Sequence, residues 1–146
     1  MTRPDAHFIS IEIPVQWGDM DAAQHVNNTI YLRWTESARI AMFQKMTGDH
    51  ASFKGVIPIL GWQDCKYIFP VTYPDTVVVS LDVVKVEIQK IHCVVNMHSK
   101  KFDKIVAVSK CVLVPFDMQK QKKVTLPETW KQAFTKFYGI ALISNL

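Results

Sequence analysis

The sequence lacks any long apolar segment. None of its stretches approaches the roughly 18–20 consecutive apolar residues that a membrane-spanning helix needs. Residues 1–10 also lack the apolar core of a secretory signal peptide. We therefore expect a cytoplasmic protein without a membrane partner. The chain has 146 residues, of which 49% are apolar and 21% charged, and this predicts one globular domain over residues 1–146.

Cysteine is scarce as well. Cys65, Cys93 and Cys111 are widely spaced, odd in number and form no C-x-x-C pair, which argues against a disulfide framework. Each of them lies in a segment with the composition of a strand, so we expect three buried free thiols. Their neighbours in sequence give no support for a catalytic cysteine.

Arginine is absent from the second part of the chain, although this part is strongly basic. Residues 85–146 contain eleven lysines against four acidic residues, with clusters at 100–104 and 120–123. Such lysines form either a solvated surface or a site for a small anionic group. The lack of arginine disfavours nucleic acid as a partner, because arginine is the preferred residue for phosphate and base recognition.

The pattern of apolar residues predicts a two-layer α+β fold. The predicted elements are a strand at 8–17, a helix at 29–46, strands at 59–69, 76–88, 91–102 and 105–116, and a helix at 128–138. Turns after residue 75 are too short for parallel crossovers, so we expect an antiparallel sheet of about five strands that curls around the long helix. Residues 76–84 are apolar on both faces, which favours cover by a partner subunit.

Candidate chemistry lies directly before the long helix, in the segment 19–28. It contains Asp19, Asp21 and His25, followed by two asparagines of which either can cap the helix. A helix start offers unpaired backbone N–H groups and a partial positive charge. Carboxylates beside such donors suit the hydrolysis of an acyl group, whereas the simpler interpretation of Asp21 is a turn residue bonded to nearby backbone.

Several segments of the chain match a known family. They are Trp17-Gly18-Asp19-Met20-Asp21, His25-Val26-Asn27-Asn28, Tyr31-Leu32-Arg33-Trp34, Glu36-Ser37-Ala38-Arg39, Tyr67-x-x-Pro70 with Tyr73-x-Asp75, and Leu126-Pro127. Together they resemble the 4-hydroxybenzoyl-CoA thioesterase-like family of acyl-CoA thioesterases, over roughly residues 8–137. The resemblance implies the hot-dog fold of that family, in which an antiparallel sheet wraps around a long central helix.

The resemblance also implies a site. It maps the family's catalytic aspartate onto Asp21, as nucleophile or as general base, and the donor that polarises the thioester carbonyl onto the backbone N–H of Asn28. His25 stands where many relatives have histidine. Gln24 departs from the family, because many relatives have glycine there and glycine permits a positive φ.

For ligands and partners, the resemblance implies an acyl-CoA substrate and self-association as a homodimer or homotetramer. Coenzyme A is then part of the substrate, and no separate cofactor is expected. The candidate contacts for its phosphates are Lys90, Lys100 and Lys101. We expect no metal: Asp19, Asp21 and His25 have suitable donors, but their spacing is not that of a zinc site.

Two other functions stay open on the same fold. One is a non-catalytic protein that binds acyl-CoA. The other is a dehydratase or hydratase, which resembles an aspartate-then-histidine arrangement on the helix itself. Residues 29–46 contain neither residue type, which disfavours the second alternative.

Overall fold

A computed structural model describes residues 6–48 and 53–139. Its elements are β1 (Ile9–Pro14), a 3₁₀ turn (Trp17–Asp19), α1 (Asn28–Thr47), β2 (Val56–Gln63), β3 (Lys66–Tyr67), β4 (Thr76–Glu87), β5 (Lys90–Ser99), β6 (Lys104–Asp117), β7 (Lys122–Lys123) and α2 (Glu128–Tyr138). Both predicted helices are confirmed to within about one residue. Among the described residues, no helix is long and apolar enough to cross a membrane.

The sheet is antiparallel, with strand order β1-β4-β5-β6-β2, and the two short strands β3 and β7 both pair with β6. The predicted antiparallel meander after residue 75 is confirmed as β4, β5 and β6. The predicted strand 59–69 is wrong in its bounds, because β2 begins at Val56 and ends at Gln63. Residues 49–52 of the predicted loop 49–58 lie outside the described residues.

Helix α1 packs against one face of the sheet and forms the core with it, so the expected α+β fold with a sheet curled around the helix is confirmed. The buried helix side chains are Tyr31, Trp34, Thr35, Ala38, Met42, Phe43 and Met46. The facing sheet positions Val77, Val79, Leu81, Ile91 and Val95 are 0% exposed. Burial of each such apolar side chain stabilises the folded state by about 1.5–3 kcal/mol. The helix ends at Gly48, which has φ +85°.

Helix α2 closes the end of the sheet that lies far from the start of α1. Its residues Trp130 and Phe134 are buried, and Phe134 packs on Phe8 with ring centroids 5.5 Å apart. Strand β1 covers β4 only from Thr76 to Leu81. Beyond that point the Tyr138 hydroxyl accepts a hydrogen bond from the Val83 N–H and donates one to Asp82, both at 2.9 Å. The C-terminal helix thus protects the part of the β4 edge that β1 leaves open.

The three cysteines are free thiols, and two of them are buried as expected. Cys93 on β5 and Cys111 on β6 stand directly opposite each other on the face that α1 covers. Cys65 is only half-buried, because it lies in the break between β2 and β3 rather than in a strand. The expectation of strand placement was wrong for this residue, since the predicted strand 59–69 is interrupted there.

Candidate active site

A tight hairpin carries Asp21. Met20 and Val26 form an antiparallel bridge, and between them the Asp21 N–H donates to the His25 carbonyl at 3.1 Å. The Gln24 N–H donates to the Asp21 carbonyl at 2.9 Å, and Gln24 has φ +63°. Three-residue hairpin loops commonly place their last residue in this left-handed region. Gln24 therefore adopts the backbone conformation that glycine would take more easily, and the turn forms without glycine.

The Asp21 carboxylate is held on the hairpin by two hydrogen bonds. Its Oδ1 accepts from the Ala23 N–H at 2.9 Å, and its Oδ2 accepts from the side-chain amide of Asn27 at 3.2 Å. Two bonds leave other lone pairs of the carboxylate unused. The side chain is exposed, so these lone pairs can accept a hydrogen bond from water or approach a substrate.

Asn27, rather than Asn28, is the N-cap residue of α1. Its Oδ1 accepts from both the backbone N–H and the hydroxyl of Thr29, at 2.9 and 2.7 Å. Asn28 is the first helical residue, and its N–H donates to no acceptor within the described part of the chain. The side chain that begins the helix thus also holds Asp21, a second role for Asn27 that the sequence did not indicate, because the 20–26 hairpin was not predicted.

A pocket of about 320 Å³ opens beside the helix start. It is lined by His25, Val26, Asn28, Tyr31, Tyr67, Ile68, Phe69 and Pro70. The predicted residues His25 and Asn28 therefore meet in one pocket. Asp21 is not among the lining residues and lies next to them, linked through Asn27. Apolar walls with a few polar groups at one end are typical of a site for a small organic ligand.

Two tyrosines complete the pocket, and the sequence did not indicate a polar role for either. The Tyr67 hydroxyl donates to the Asn28 carbonyl at 3.2 Å, and its ring packs edge-on against Tyr31 with centroids 5.1 Å apart. The Tyr31 hydroxyl accepts from the Val71 N–H at 3.2 Å. Burial raises the pKa of both phenols, so both stay protonated at neutral pH.

Asp19 shapes the turn before the hairpin. Its carboxylate accepts from the Gln16 N–H at 2.8 Å, and its carbonyl accepts from the Asn27 N–H at 2.9 Å. These bonds confirm that Asp19 shapes the turn, and the choice of Asp21 as the reactive carboxylate stays a prediction. No group of three or more His, Cys, Asp or Glu side chains suited to a metal ion occurs within residues 6–48 and 53–139.

The candidate phosphate-binding lysines lie at two ends of the sheet. Lys100 and Lys101 follow β5 at the end near the helix start, where Lys100 pairs with Glu12 at 2.5 Å. Lys90 begins β5 at the opposite end, about 30 Å away at the usual rise per strand residue. The structure therefore does not bring Lys90 together with the other two within one chain.

Lys104 is a lysine that the sequence-based selection missed. Its ammonium lies 4.4 Å from the ring centre of Phe69, which lines the pocket. Phe69 in turn contacts Phe102, with centroids 5.1 Å apart, and Lys101 lies 5.3 Å from the ring centre of Phe102. This basic and aromatic surface is continuous with the pocket at the helix start.

Comparison with known proteins places these features in a family. A sequence profile described as the thioesterase-like superfamily matches residues 15–134. No curated protein sequence matches the chain. Among solved structures, the candidate thioesterase PA2801 from Pseudomonas aeruginosa is 28% identical, with a TM-score of 0.79 over 88% of this chain and 99% of that one.

Two further structures share the fold at lower identity. A thioesterase from Thermus thermophilus, complexed with coenzyme A and Zn, is 21% identical, with a TM-score of 0.81 over 92% of this chain and 97% of that one. The DHNA-CoA thioesterase from Staphylococcus aureus is 18% identical, with a TM-score of 0.80 over 94% of this chain and 95% of that one.

Proposed function

Because the chain belongs to the thioesterase-like superfamily and has its hot-dog fold, we propose that this thioester hydrolase cleaves acyl-CoA to a free carboxylic acid and coenzyme A. The observation that carries the proposal is the arrangement around Asn27. This one side chain caps α1 and holds the Asp21 carboxylate, and the N–H of the next residue, Asn28, has no acceptor among residues 6–48 and 53–139. A carboxylate and a fixed donor beside an apolar pocket are what thioester hydrolysis requires.

In the proposed reaction, the thioester carbonyl oxygen accepts a hydrogen bond from the Asn28 N–H. Asp21 then either takes a proton from a water molecule that attacks the carbonyl carbon, or attacks that carbon itself to give a mixed anhydride that water hydrolyses. In either route the C–S bond breaks with its electron pair moving to sulfur. The thiolate takes up the proton that the reacting water loses, from Asp21 in the first route and during hydrolysis of the anhydride in the second. Both routes fit an exposed carboxylate with free lone pairs.

His25 is proposed to bind the substrate or the attacking water. Its side chain lines the pocket and is exposed, and within the described residues its imidazole forms no hydrogen bond. An unengaged donor and acceptor beside the helix start is available to a ligand. Its backbone carbonyl, by contrast, has the structural role of accepting the Asp21 N–H.

The phosphates of coenzyme A are proposed to lie near Lys100 and Lys101, at the same end of the sheet as the pocket. The Thermus thermophilus relative was crystallised with coenzyme A, which supports this class of ligand. Lys90 is too distant to contact the same molecule from within one chain, so its predicted contribution would come from a second copy. Coenzyme A enters as part of the substrate, and the proposed reaction needs no other cofactor.

Self-association as a homodimer or homotetramer is part of the proposal, as is a cytoplasmic location. Strand β2 is at the edge of the sheet and pairs only with β6 within the described chain. It exposes Leu60 at 40% and Trp62 at 53% of their surfaces. An unpaired edge with exposed apolar side chains favours pairing with a second copy. Analytical ultracentrifugation tests this, and a monomer at micromolar concentration would contradict it.

The activity is tested with a panel of aliphatic and aromatic acyl-CoA thioesters, following coenzyme A release by chromatography. We expect at least one substrate to be cleaved and Asp21→Asn to lower kcat by about 10²–10⁴-fold. Glu128→Gln, a carboxylate change on α2, serves as the control and should retain full activity. Binding of acyl-CoA without cleavage would instead support the non-catalytic alternative, and an unchanged rate in Asp21→Asn would exclude the proposed role of Asp21.

A further inference from the structure

Tyr67 is placed at the helix start by two independent contacts. Strand β3 pairs it with Ala107 of β6, and its ring packs at 90° against the buried ring of Tyr31. These contacts aim the phenol at Asn28, where the hydroxyl donates to the backbone carbonyl at 3.2 Å. The hydroxyl is thus positioned on the same residue whose N–H is the candidate donor to the substrate.

The hydrogen bond from Tyr67 is not needed to satisfy the Asn28 carbonyl. In a regular α-helix, this carbonyl is the acceptor for the N–H four residues later. The phenol therefore uses a second lone pair of an oxygen that the helix already engages. Transfer of this hydrogen bond to a ligand leaves no buried carbonyl without a partner, so the transfer has a low cost.

The phenol also faces the ligand pocket and remains a proton donor. Tyr67 lines the pocket together with Asn28 and His25, and 46% of its surface is exposed. Burial of the phenol, with the neighbouring Cys65 thiol as a further cause, raises the pKa of Tyr67. Because only the protonated phenol can donate, the donor is present throughout the neutral and mildly alkaline range.

We propose that Tyr67 is a catalytic residue, whose hydroxyl donates the second hydrogen bond to the thioester carbonyl oxygen beside the Asn28 N–H. This inference rests on the proposed thioester hydrolysis. When water adds to the carbonyl carbon, the π electron pair moves to oxygen, and both donors stabilise the charge. The pair returns when the C–S bond breaks, and the phenolic proton stays on Tyr67 throughout.

The first test is the Tyr67→Phe variant, which removes only the hydroxyl. We expect kcat to fall by about 10²-fold, since the loss of one oxyanion donor typically costs 10²–10³-fold, while KM rises by at most about tenfold, the worth of one hydrogen bond to the bound carbonyl. Tyr73→Phe is the matched control, because Tyr73 is also 46% exposed, and it should keep the wild-type rate. An unchanged kcat in Tyr67→Phe would overturn the proposal.

The second test measures binding and does not depend on turnover. It uses two coenzyme A analogues: a thioether that lacks the carbonyl group, and a ketone in which methylene replaces sulfur. In Tyr67→Phe, the ketone should bind about 3- to 10-fold more weakly, the worth of one hydrogen bond, whereas thioether affinity stays constant. Equal weakening of both would show a packing role and overturn the proposal.

The two tests separate the two levels of inference. If wild-type protein cleaves no thioester, the proposed function fails, yet the difference between the ketone and the thioether still decides whether Tyr67 recognises the carbonyl group. The folded state of Tyr67→Phe is checked by its melting temperature, since a value within about 2 °C of wild type corresponds to a stability change below about 1 kcal/mol. Because the ratio of the two affinities is compared within each protein, a change in the folded fraction cancels.

Discussion

The side-chain amide of Asn27 lies 3.2 Å from Oδ2 of Asp21, while the amide oxygen of the same residue caps α1. One residue therefore links the conformation of the helix start to the orientation of the candidate carboxylate. The nitrogen and the oxygen of one amide group thus connect the hairpin to the helix start. The two roles can be separated by substitution.

Asn27→Ser should keep the cap and lose the bond to Asp21. Serine caps helices about as well as asparagine, but it is too short to reach the carboxylate while it caps. We expect wild-type stability within about 0.5 kcal/mol and a kcat lowered about tenfold. Asn27→Ala should show the same rate loss and also lose about 1 kcal/mol of stability. Urea denaturation and steady-state kinetics measure both. A Ser variant with full activity would show that Asp21 needs no support from Asn27.

Gln24→Gly should stabilise the protein. The left-handed conformation at φ +63° costs a residue with a Cβ about 1 kcal/mol or more, and glycine avoids this cost. The larger freedom of glycine in the unfolded chain offsets part of the gain, so we expect a net increase of about 0.5–1 kcal/mol in the free energy of unfolding. Ala23→Gly, one residue earlier, is the control and should destabilise. A loss of stability in Gln24→Gly would point to a side-chain contact of Gln24.

Cys65 should be the thiol that reacts first with iodoacetamide. It is half-buried, and burial raises its pKa, so its reaction near pH 8 should be slow. The Cys93–Cys111 hydrogen bond lowers the pKa of Cys111 and is the main cause that raises that of Cys93. Both are at most 2% exposed, however, so access rather than thiolate content should limit them. Mass spectrometry of tryptic peptides over a time course decides this, and early labelling of Cys111 would contradict it.

Tyr138→Phe should destabilise the protein by about 1–2 kcal/mol at neutral pH, because the Val83 N–H and Asp82 lose a partner at the β4 edge. Burial, with Asp82 as a further cause, raises the pKa of Tyr138 well above that of a free tyrosine. Above about pH 10 the unfolded tyrosine loses its proton while the folded one keeps it. The folded state then binds more protons, so stability falls as pH rises.

Denaturation of wild type and Tyr138→Phe between pH 7 and 11 measures this effect. The decline above pH 10 should be shallower in the variant, since one of the protonated phenols has been removed. Tyr73→Phe, at an exposed tyrosine, is the control for the substitution and should keep wild-type stability at pH 7. Parallel curves for wild type and Tyr138→Phe would show that Tyr138 ionises in the folded protein as it does in the unfolded chain.

Sequence periodicity predicted α1 and the meander well, because both follow from apolar spacing. The helical stripe of Trp34, Ala38 and Met42 is buried, and the turns after residue 75 permit only antiparallel pairing. The break between β2 and β3 was not predictable in this way. The polar residues Gln63, Asp64 and Lys66 lie around the break, and Asp64 bonds Lys110 of β6.

The sequence suggested candidate site residues but not their contacts, and their catalytic roles stay predictions. Asp21, His25 and Asn28 came from a resemblance, and the structure brings His25 and Asn28 into one pocket with Asp21 beside it. A glycine at position 24 would have indicated a tight hairpin, but the residue there is glutamine. The hairpin was therefore not predicted, and neither was the bond from Asn27 to Asp21. The role proposed for Tyr67 was not predicted, because it depends on strand β3 pairing with β6, a contact between distant parts of the sequence.

The length of α1 has a practical consequence for work with this protein. Twenty helical residues span about 30 Å, and they separate the pocket from the end of the sheet that carries α2 and the Lys122–Lys123 strand. Amine-reactive dyes or a solid support attached at Lys122 and Lys123 would leave the pocket and the surface around Phe102 unobstructed. Immobilisation through Lys101 and Lys104 would instead block the pocket entrance.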